Sequence, residues 1–259
     1  MYEPDNDDAA SLIHYLLYLG DNALVLSQRN SAWCGHGPVL EQDIAITNIS
    51  LDLIGQARSF YQYAASLEGK EVTEDTLAYL RGERAYYNCL LLELPNGDWG
   101  HTILRQFFFS VFQQQLYKQL LPSKDSTIAA IAEKSLKEVA YHVRWSSEWV
   151  IRLGDGTEES QARMEKALVA LWAYTGEFFQ PAEYELAAAR EGIGPVVAAL
   201  QPGWWQQVQE VLAEATLQAP EQGKTWMQTG GKTGRHTEHM GYLLAEMQYL
   251  QRAYPGATW

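Results

Sequence analysis

The stretch from residue 38 to residue 68, PVLEQDIAITNISLDLIGQARSFYQYAASLE, decides the fold. Its apolar residues fall on most sides of a helix: Ile44, Ile46, Ile49, Leu51, Leu53, Ile54, Ala57, Phe60 and Ala64. A helix that is apolar on most sides lies inside a structure rather than on its surface. The stretch therefore predicts one long internal helix, with Pro38 in its first turn.

Polar residues form a narrow stripe along this helix. Asn48, Asp52, Gln56 and Ser59 recur at intervals of four, four and three residues. The stripe is either a solvent-exposed face or a set of buried groups with partners on facing helices. In the second case Asp52 needs a donor, because a buried carboxylate left unpaired costs roughly 3–5 kcal/mol.

The rest of the chain has the same helical periodicity. Further helices are predicted at 8–33, 74–94, 99–121, 126–153, 158–179, 182–190, 203–217 and 235–253, with Thr157 as an N-cap. Strand-like alternation is nowhere sustained, and neither an internal repeat nor a dividing linker is evident. We therefore expect residues 1–259 to form a single all-α domain, a bundle of long helices with additional shorter ones.

The composition excludes several classes of function. A net charge of −13, with only 19 Lys and Arg, is unsuited to binding nucleic acid. Cys34 and Cys89 are too few for a disulfide framework, and we expect both thiols to be reduced and buried. The first residues, MYEPDNDDAA, lack the basic segment of a signal peptide, and no uncharged run reaches membrane-spanning length. We expect a cytoplasmic protein with neither a membrane nor a nucleic acid as partner.

The chain lacks the motif with which helical bundles bind two irons. Such a site takes one Glu from each of two helices and a Glu-x-x-His from each of the other two. No Glu-x-x-His occurs in the sequence, and the nearest match, Asp98-x-x-His101, lies beside glycines at a predicted turn. The pattern favours a partner subunit over an independent enzyme.

One Glu and one His share a face of the helix predicted at 126–153. Glu138 and His142 lie one turn apart there, on the side that also carries Trp145 and Trp149. Glu and His side chains can ligate zinc or iron, but two ligands on one helix do not complete a site. A surface contact or a structural hydrogen bond is the more usual role of such a pair.

A second histidine pattern lies near the C-terminus. His236-Thr237-Glu238-His239 resembles a zinc motif superficially. The zinc motif places its two histidines four residues apart, and here they are three apart. Capping of the last helix is the simpler interpretation.

The tripeptide Gly231-Lys232-Thr233 resembles a phosphate-binding loop. No predicted strand precedes it, so the structural context that the motif requires is missing. A flexible loop is the simpler interpretation. A coenzyme A site that uses Lys232 and Arg235 is a further, weaker hypothesis, because the surroundings are acidic.

Three stretches carry a more specific resemblance. They are LGDNALVLSQRNSAWCGHGPVLEQDIAITNISLDLIGQAR at 19–58, IRLGDGTEES at 151–160 with LPNGDW at 94–99, and TGGKTGRHTEHMGYLLAEMQYLQRAYPGATW at 229–259. Together with their spacing, they resemble the family of C subunits of phenylacetyl-CoA epoxidase, from aerobic phenylacetate degradation. The resemblance runs nearly end to end.

The resemblance implies a ferritin-like helical bundle and a structural rather than a catalytic role. It implies two partners, a homologous catalytic subunit with a di-iron centre and a small bridging subunit. It also implies a reductase with FAD and iron–sulfur groups, which supplies electrons from NADPH while the complex uses oxygen to epoxidise phenylacetyl-CoA. This chain is expected to contain no cofactor and no catalytic residue, and to expose apolar surface for the catalytic subunit, to which approximate twofold pseudo-symmetry relates it.

The resemblance also implies the remains of a metal site. The two Glu-x-x-His motifs of the catalytic relatives match Asp52-x-x-Gly55 and the region of Glu138-x-x-Tyr141, so both histidines are lost. We expect Asp52 and Glu138 to face the interior, paired with protein groups. The candidates for this pairing are Tyr141, His142, Arg105 and Arg144.

The carboxylate of the first helix is implied at Asp21 or Asn22. The vestigial metal-site positions are then Asp21, Asp52, Glu138, Tyr141 and His142, and no metal-binding role is assigned to any of them. The alternative hypothesis is a stand-alone metal-dependent oxidase whose irregular ligands are Asp21, Asp52, Glu138 and His142.

Overall fold

The computed structural model describes residues 7–69, 71–220 and 226–257, and for residues 7–9 the backbone alone. Eleven α-helices lie within these ranges: α1 (Asp7–Ser31), α2 (Leu40–Glu68), α3 (Glu74–Tyr79), α4 (Leu90–Glu93), α5 (Trp99–Leu120), α6 (Ser126–Gly154), α7 (Glu158–Trp172), α8 (Glu183–Glu191), α9 (Gln201–Glu214), α10 (Glu238–Met247) and α11 (Tyr249–Ala253). The same ranges contain no strand, so the all-α prediction is confirmed. Among the described residues, no helix is both long and apolar enough to span a membrane.

Residue contacts divide the chain into two compact units. The first comprises Met1–Pro95, Ala182–Glu191 and Gly230–Trp259, and the second comprises Asn96–Pro181 and Gly192–Thr229. Each unit contains one pair of long helices, and two such pairs are what a ferritin-like bundle is built from. That these units belong to a single domain stays a prediction.

In the first unit, α1 packs along α2, and α8 covers another side of α1. Every residue of α1 from 15 to 27 is buried. A Cβ added to Gly20 of α1 lies 2.6 Å from the Tyr61 ring of α2, so glycine is what permits this close approach. The polar residues in the middle of α1 therefore lie in the interior of the unit and need partners there.

In the second unit, α5 packs along α6, with α7 and α9 against the pair. Nearly all of α5 is buried, including the four phenylalanines between 107 and 112. Phe112 stacks on Phe178 with ring centroids 4.7 Å apart. Trp204 of α9 donates a hydrogen bond from Nε1 to the Phe108 carbonyl at 2.9 Å. Aromatic packing around α5 thus forms the core of this unit.

Several helices begin at polar capping residues. The Thr157 hydroxyl accepts a hydrogen bond from the Ser160 N–H at 3.2 Å, so the predicted N-cap of α7 is confirmed. Asp98 and Asp125 cap α5 and α6 in the same way. Asp98 also contacts the His101 ring at 2.8 Å, so this pair orders the start of a helix.

The prediction of one continuous helix over 74–94 is wrong. The structure has two short helices there, α3 and α4, with a 3-10 turn and extended backbone between them. The Tyr87 N–H donates to Asp21 Oδ2, and the Cys89 N–H donates to Asn22 Oδ1, both at 2.8 Å. Because these backbone donors bond to side chains of α1, they are unavailable for helical hydrogen bonds.

Two smaller predictions are also corrected. The helix predicted at 158–179 ends at Trp172, and a 3-10 turn follows it. Both cysteines are free thiols, and Cys89 is buried as predicted, but Cys34 is exposed. Cys34 lies in the turn between α1 and α2, where Gly35 and His36 are exposed as well.

The prediction that α2 is internal is wrong for one of its faces. The face with Ile46, Ile49 and Leu53 is buried against the first unit. On the opposite face, four large aliphatic residues are exposed: Leu40 by 72%, Ile44 by 52%, Leu51 by 60% and Ile54 by 45%. The periodicity correctly indicated an apolar helix, but this chain alone covers only part of it.

Candidate functional site

Asp21, the carboxylate implied on the first helix, lies fully buried in the middle of α1. The Tyr61 hydroxyl of α2 donates to its Oδ1 at 2.5 Å. Arg81, which follows α3, forms a two-pronged ion pair with the carboxylate, from Nη2 to Oδ1 and from Nη1 to Oδ2 at 3.1 Å. The Tyr87 N–H completes the set at Oδ2.

These four donors use the full hydrogen-bonding capacity of the Asp21 carboxylate. An ionised carboxylate offers about four lone-pair directions, and here each oxygen of Asp21 accepts two hydrogen bonds. A metal ion at Asp21 needs one of these lone pairs and is repelled by the adjacent guanidinium. The residues around Asp21 therefore do not fit a metal ligand, and they make this position a structural ion pair.

Burial and charge shift the pKa values in this cluster. Burial raises the pKa of the Tyr61 hydroxyl well above its ordinary value, and the charge of Asp21 adds to the effect, so Tyr61 stays a neutral donor. Burial alone lowers the pKa of the Arg81 guanidinium, but the charge of Asp21 outweighs it and the net shift is upward. Both groups thus remain in the protonation state that Asp21 requires.

Sequence reasoning did not find Arg81 or Tyr61 as the partners of Asp21. They lie 60 and 40 residues further along the chain. The available signal was a carboxylate in the middle of an apolar helix, which predicts a buried partner but does not identify it.

The polar stripe of α2 lies at the edge between its buried and exposed faces. Asn48 is exposed, Asp52 and Ser59 are half-buried, and Gln56 is buried. The interpretation as a solvent-exposed face is therefore correct for Asn48, and the interpretation as buried groups is correct for Gln56. The partner of Asp52 expected from the resemblance stays a prediction.

On α6, the structure places the three remaining vestigial positions in different environments. His142 is fully buried, Glu138 is half-buried and Tyr141 is 36% exposed. Glu138 is close enough to Tyr117 of α5 for its charge to add to the upward shift that burial causes in the Tyr117 pKa. The indole of Trp99 packs edge-on against the two tryptophans of the same α6 face, Trp145 and Trp149.

The two arginines expected beside the vestigial positions each have a described contact. Arg105 is buried and donates from Nη2 to Asn96 Oδ1 at 2.5 Å. The Arg144 guanidinium lies 5.6 Å from the centre of the Tyr141 ring. Within the described part of the chain, no group of three or more His, Cys, Asp and Glu residues is placed to hold a metal ion. The pairing of Glu138 stays a prediction.

A second buried carboxylate ties the C-terminal region to α4. Glu93 accepts hydrogen bonds from the Thr237 N–H at 2.6 Å and the Asn88 amide at 2.9 Å. His236 Nδ1 lies 2.7 Å from Glu93 Oε2, and its Nε2 lies 2.9 Å from the Tyr86 carbonyl oxygen. Because both ring nitrogens face acceptors, the imidazolium is the form of His236 that can donate to both of them.

We expect the free energy of unfolding to fall as the pH rises through the pKa of His236. Burial lowers the pKa of this imidazole, but its hydrogen bond and charge interaction with Glu93 outweigh burial and raise it above the ordinary value. A group whose pKa is raised on folding stabilises the folded protein. This contribution is complete when the pH lies below the pKa of the unfolded chain, about 6.5, and it is lost as the pH rises through the pKa of the folded protein. Urea titrations between pH 5.5 and 9 measure the effect.

The control for this prediction is His236→Gln, which removes the titrating group. The variant is expected to lose the part of the pH dependence that lies above about pH 6.5. An unchanged slope in the variant contradicts the assignment.

The structure also corrects the interpretation of residues 230–234 as a flexible loop. Lys232 is buried, and its Nζ lies 3.0 and 3.1 Å from the two carboxylate oxygens of Glu185 in α8. The same ammonium lies 5.0 Å from the centre of the Tyr18 ring. The Tyr184 hydroxyl donates to the Lys232 carbonyl at 3.0 Å. Lys232 thus serves a buried ion pair and is not presented to a phosphate or a coenzyme A.

The remaining motif near the C-terminus is a helix cap. The Thr237 side chain accepts a hydrogen bond from the His239 N–H at the start of α10. The capping interpretation of this segment is therefore confirmed. His236 belongs to the Glu93 cluster, and the two histidines have separate roles.

The helical fold and the two buried carboxylate clusters together define a ferritin-like all-α protein. In this protein, donors from the chain itself saturate the carboxylate of Asp21 on the first helix. The model of the family described as "Phenylacetic acid catabolic protein" matches residues 2–259. The chain belongs to this family. It is 49% identical over 248 residues to the C subunit of the 1,2-phenylacetyl-CoA epoxidase of Escherichia coli (strain K12), a match that covers 96% of this chain and 99% of the relative. The resemblance seen in the sequence is thus confirmed.

Proposed function

We propose that this chain is the non-catalytic structural subunit of a multicomponent epoxidase that acts on phenylacetyl-CoA with oxygen and NADPH-derived electrons. In this proposal the di-iron centre that supplies the oxygen chemistry belongs to a homologous subunit. The present chain stabilises and positions that subunit and contributes no catalytic residue. The near full-length match to a relative named as the C subunit of such an epoxidase supports the assignment.

The observation that carries the proposal is the saturated carboxylate of Asp21. Its four hydrogen bonds from Arg81, Tyr61 and the Tyr87 N–H leave no lone pair for a metal. The sequence lacks every Glu-x-x-His that a di-iron bundle needs. Four helix positions supply the ligands of such a site. Two of them thus lack the required histidine here, and a third, Asp21, is already paired with the Arg81 guanidinium.

Reconstitution of the complex tests this role. The catalytic subunit and the reductase are assayed for epoxidation of phenylacetyl-CoA with and without this chain, and iron is measured in each separated subunit. We expect turnover only when this chain is present, and iron only in the catalytic subunit. Full turnover without this chain refutes the structural role.

Substitution at the vestigial positions separates a structural from a catalytic role. In the assembled complex, Asp52→Asn and Glu138→Gln are expected to lower thermal stability while leaving the turnover number within about twofold. A catalytic acid or metal ligand would instead lose orders of magnitude in rate. Loss of turnover by Asp52→Asn in an intact complex therefore contradicts the proposal.

A further inference from the structure

A small cavity lies among the aromatic residues of the second unit. Its volume is about 30 Å³, and its walls include Trp172, Gly176, Trp204, Trp205 and Met227. The Trp172 ring packs against the rings of Trp204 and Trp205, with centroids 6.0 and 5.5 Å apart. Since a cavity of about 10–15 Å³ is enough for a water molecule, this one has room for an oxygen atom.

Met227 forms one wall of this cavity and is held there by its neighbours. A Cβ added to Gly176 lies 2.5 Å from Met227 Cγ and 2.9 Å from Met227 Sδ, so glycine is what admits the thioether at this position. The next residue, Gln228, donates a hydrogen bond from its N–H to the Ala173 carbonyl at 2.7 Å. A thioether packs favourably beside aromatic rings. Backbone and packing together therefore fix the Met227 sulfur beside the tryptophans.

The same wall contains an unused hydrogen-bond donor. Trp172 is 2% exposed, and its buried Nε1–H has no acceptor among the residues that the structure describes. The other buried indole of the cavity, that of Trp204, already donates to the Phe108 carbonyl. A buried N–H that lacks an acceptor costs free energy, so an oxygen atom placed in this cavity gains a hydrogen bond from Trp172.

Solvent reaches Met227 more readily than the methionines of the interior. Met164 and Met240 are fully buried, whereas Met227 and Met247 are half-buried. Hydrogen peroxide converts an accessible methionine to the sulfoxide. In this step an S–O bond forms and the O–O bond breaks, the sulfur loses two electrons to the peroxide, and water is released. Met247 lies on α10 and does not line the cavity, so it serves as a reference.

We propose that Met227 is a site of oxidation by hydrogen peroxide, and that the Trp172 Nε1–H holds the resulting sulfoxide oxygen inside the cavity. The thioether of Met227 leaves this donor unused, and the sulfoxide supplies the acceptor. Methionine oxidation ordinarily disrupts a packed site because it makes an apolar side chain polar. Here the new polar group receives a hydrogen bond, so the segment around Met227 stays packed after oxidation. This inference is independent of the proposed function.

Peptide mass spectrometry of the full chain, treated with dilute hydrogen peroxide, tests the site of oxidation. We expect Met227 to gain one oxygen atom about tenfold faster than Met164 and Met240, because solvent reaches its sulfur. Equal rates at these three residues overturn the proposal.

NMR of the indole N–H groups tests where the oxygen goes. The Met247→Leu chain is used, since it lacks the other half-buried methionine. We expect oxidation to move the Trp172 indole proton downfield, as a new hydrogen bond does. The Trp204 indole proton is the internal control and is expected to stay in place, because it is already bonded to the Phe108 carbonyl. A Trp172 resonance that does not move overturns the proposal.

Thermal denaturation gives a second measurement of the same hydrogen bond. In the Met247→Leu background, Trp172→Phe keeps an aromatic ring and removes the N–H. On oxidation, this variant is expected to lose about 2–4 °C more in its thermal midpoint than the parent chain, which corresponds to one hydrogen bond. Trp205→Phe, in the same cavity wall, is the matched control and is expected to lose as much as the parent. Equal losses in all three proteins overturn the proposal, and if Trp172→Phe does not fold, the NMR result decides.

Discussion

Arg81→Met is expected to lower the free energy of unfolding by about 3–5 kcal/mol, because it leaves the carboxylate of Asp21 buried without its cation. The side chain of Asp21 has no exposed surface and that of Arg81 is 11% exposed, so solvent cannot replace the lost charge. Arg81 also donates to the carbonyl oxygens of Leu77 and Ala85, which keep the backbone after α3 in place. Urea denaturation at pH 7 measures the change.

Two variants make the Arg81 experiment specific. Arg58→Met removes an arginine whose ion pair with Glu74 is exposed, with 67% of the Arg58 side chain accessible, and its expected cost is below about 1 kcal/mol. The double variant Arg81→Met with Asp21→Asn removes the buried negative charge as well, and is expected to be more stable than Arg81→Met alone. If Asp21→Asn makes the single variant still less stable, uncompensated charge is not the cause.

Lys232→Met is expected to destabilise the protein by a similar amount, about 3–5 kcal/mol. The side chains of Lys232 and Glu185 are 4% and 1% exposed, so removing the ammonium leaves a buried carboxylate whose only remaining described donor is the Ala182 N–H. Methionine keeps most of the volume of the lysine stem, so the variant tests charge rather than packing. Thermal and urea denaturation both measure the loss.

The control for Lys232 uses another lysine of the chain. Lys118→Met removes an exposed ammonium that bonds Gln114 within α5, and is expected to change stability by less than about 0.5 kcal/mol. Adding Glu185→Gln to Lys232→Met is expected to restore part of the lost stability. If the Lys232→Met protein is as stable as the unmodified chain, the buried ion pair makes no net contribution to the free energy of unfolding.

The helices could be predicted from sequence because their signals are local. Apolar spacing indicated α1, α2, α5 and α6, and the hydroxyl of Thr157 marked the start of α7. The break within 74–94 could not be predicted, because its cause is the bonding of backbone N–H groups to Asp21 and Asn22, more than 60 residues away. Periodicity contains no information on such distant acceptors.

The same limit explains what sequence reasoning found at the candidate site. It singled out Asp21 through the family resemblance, yet it did not pair Asp21 with Arg81, nor Glu93 with His236. In both clusters the partners lie on different elements, and only the packing of these elements brings them together. A charged residue within an apolar helix predicts that a partner exists, while its identity depends on tertiary structure.

The late position of two cations in the chain has a consequence for biosynthesis. Glu93 and Glu185 are both buried, and they receive their cationic partners from His236 and Lys232, 143 and 47 residues further on. A ribosome delivers the chain from its N-terminus onward. Until residues 230–236 have emerged, the first unit lacks the Lys232 ammonium that pairs with Glu185 and the His236 ring that contacts Glu93. We therefore expect final closure of that unit only after synthesis of this segment, and we expect a nascent chain interrupted before residue 230 to remain accessible to chaperones and proteases.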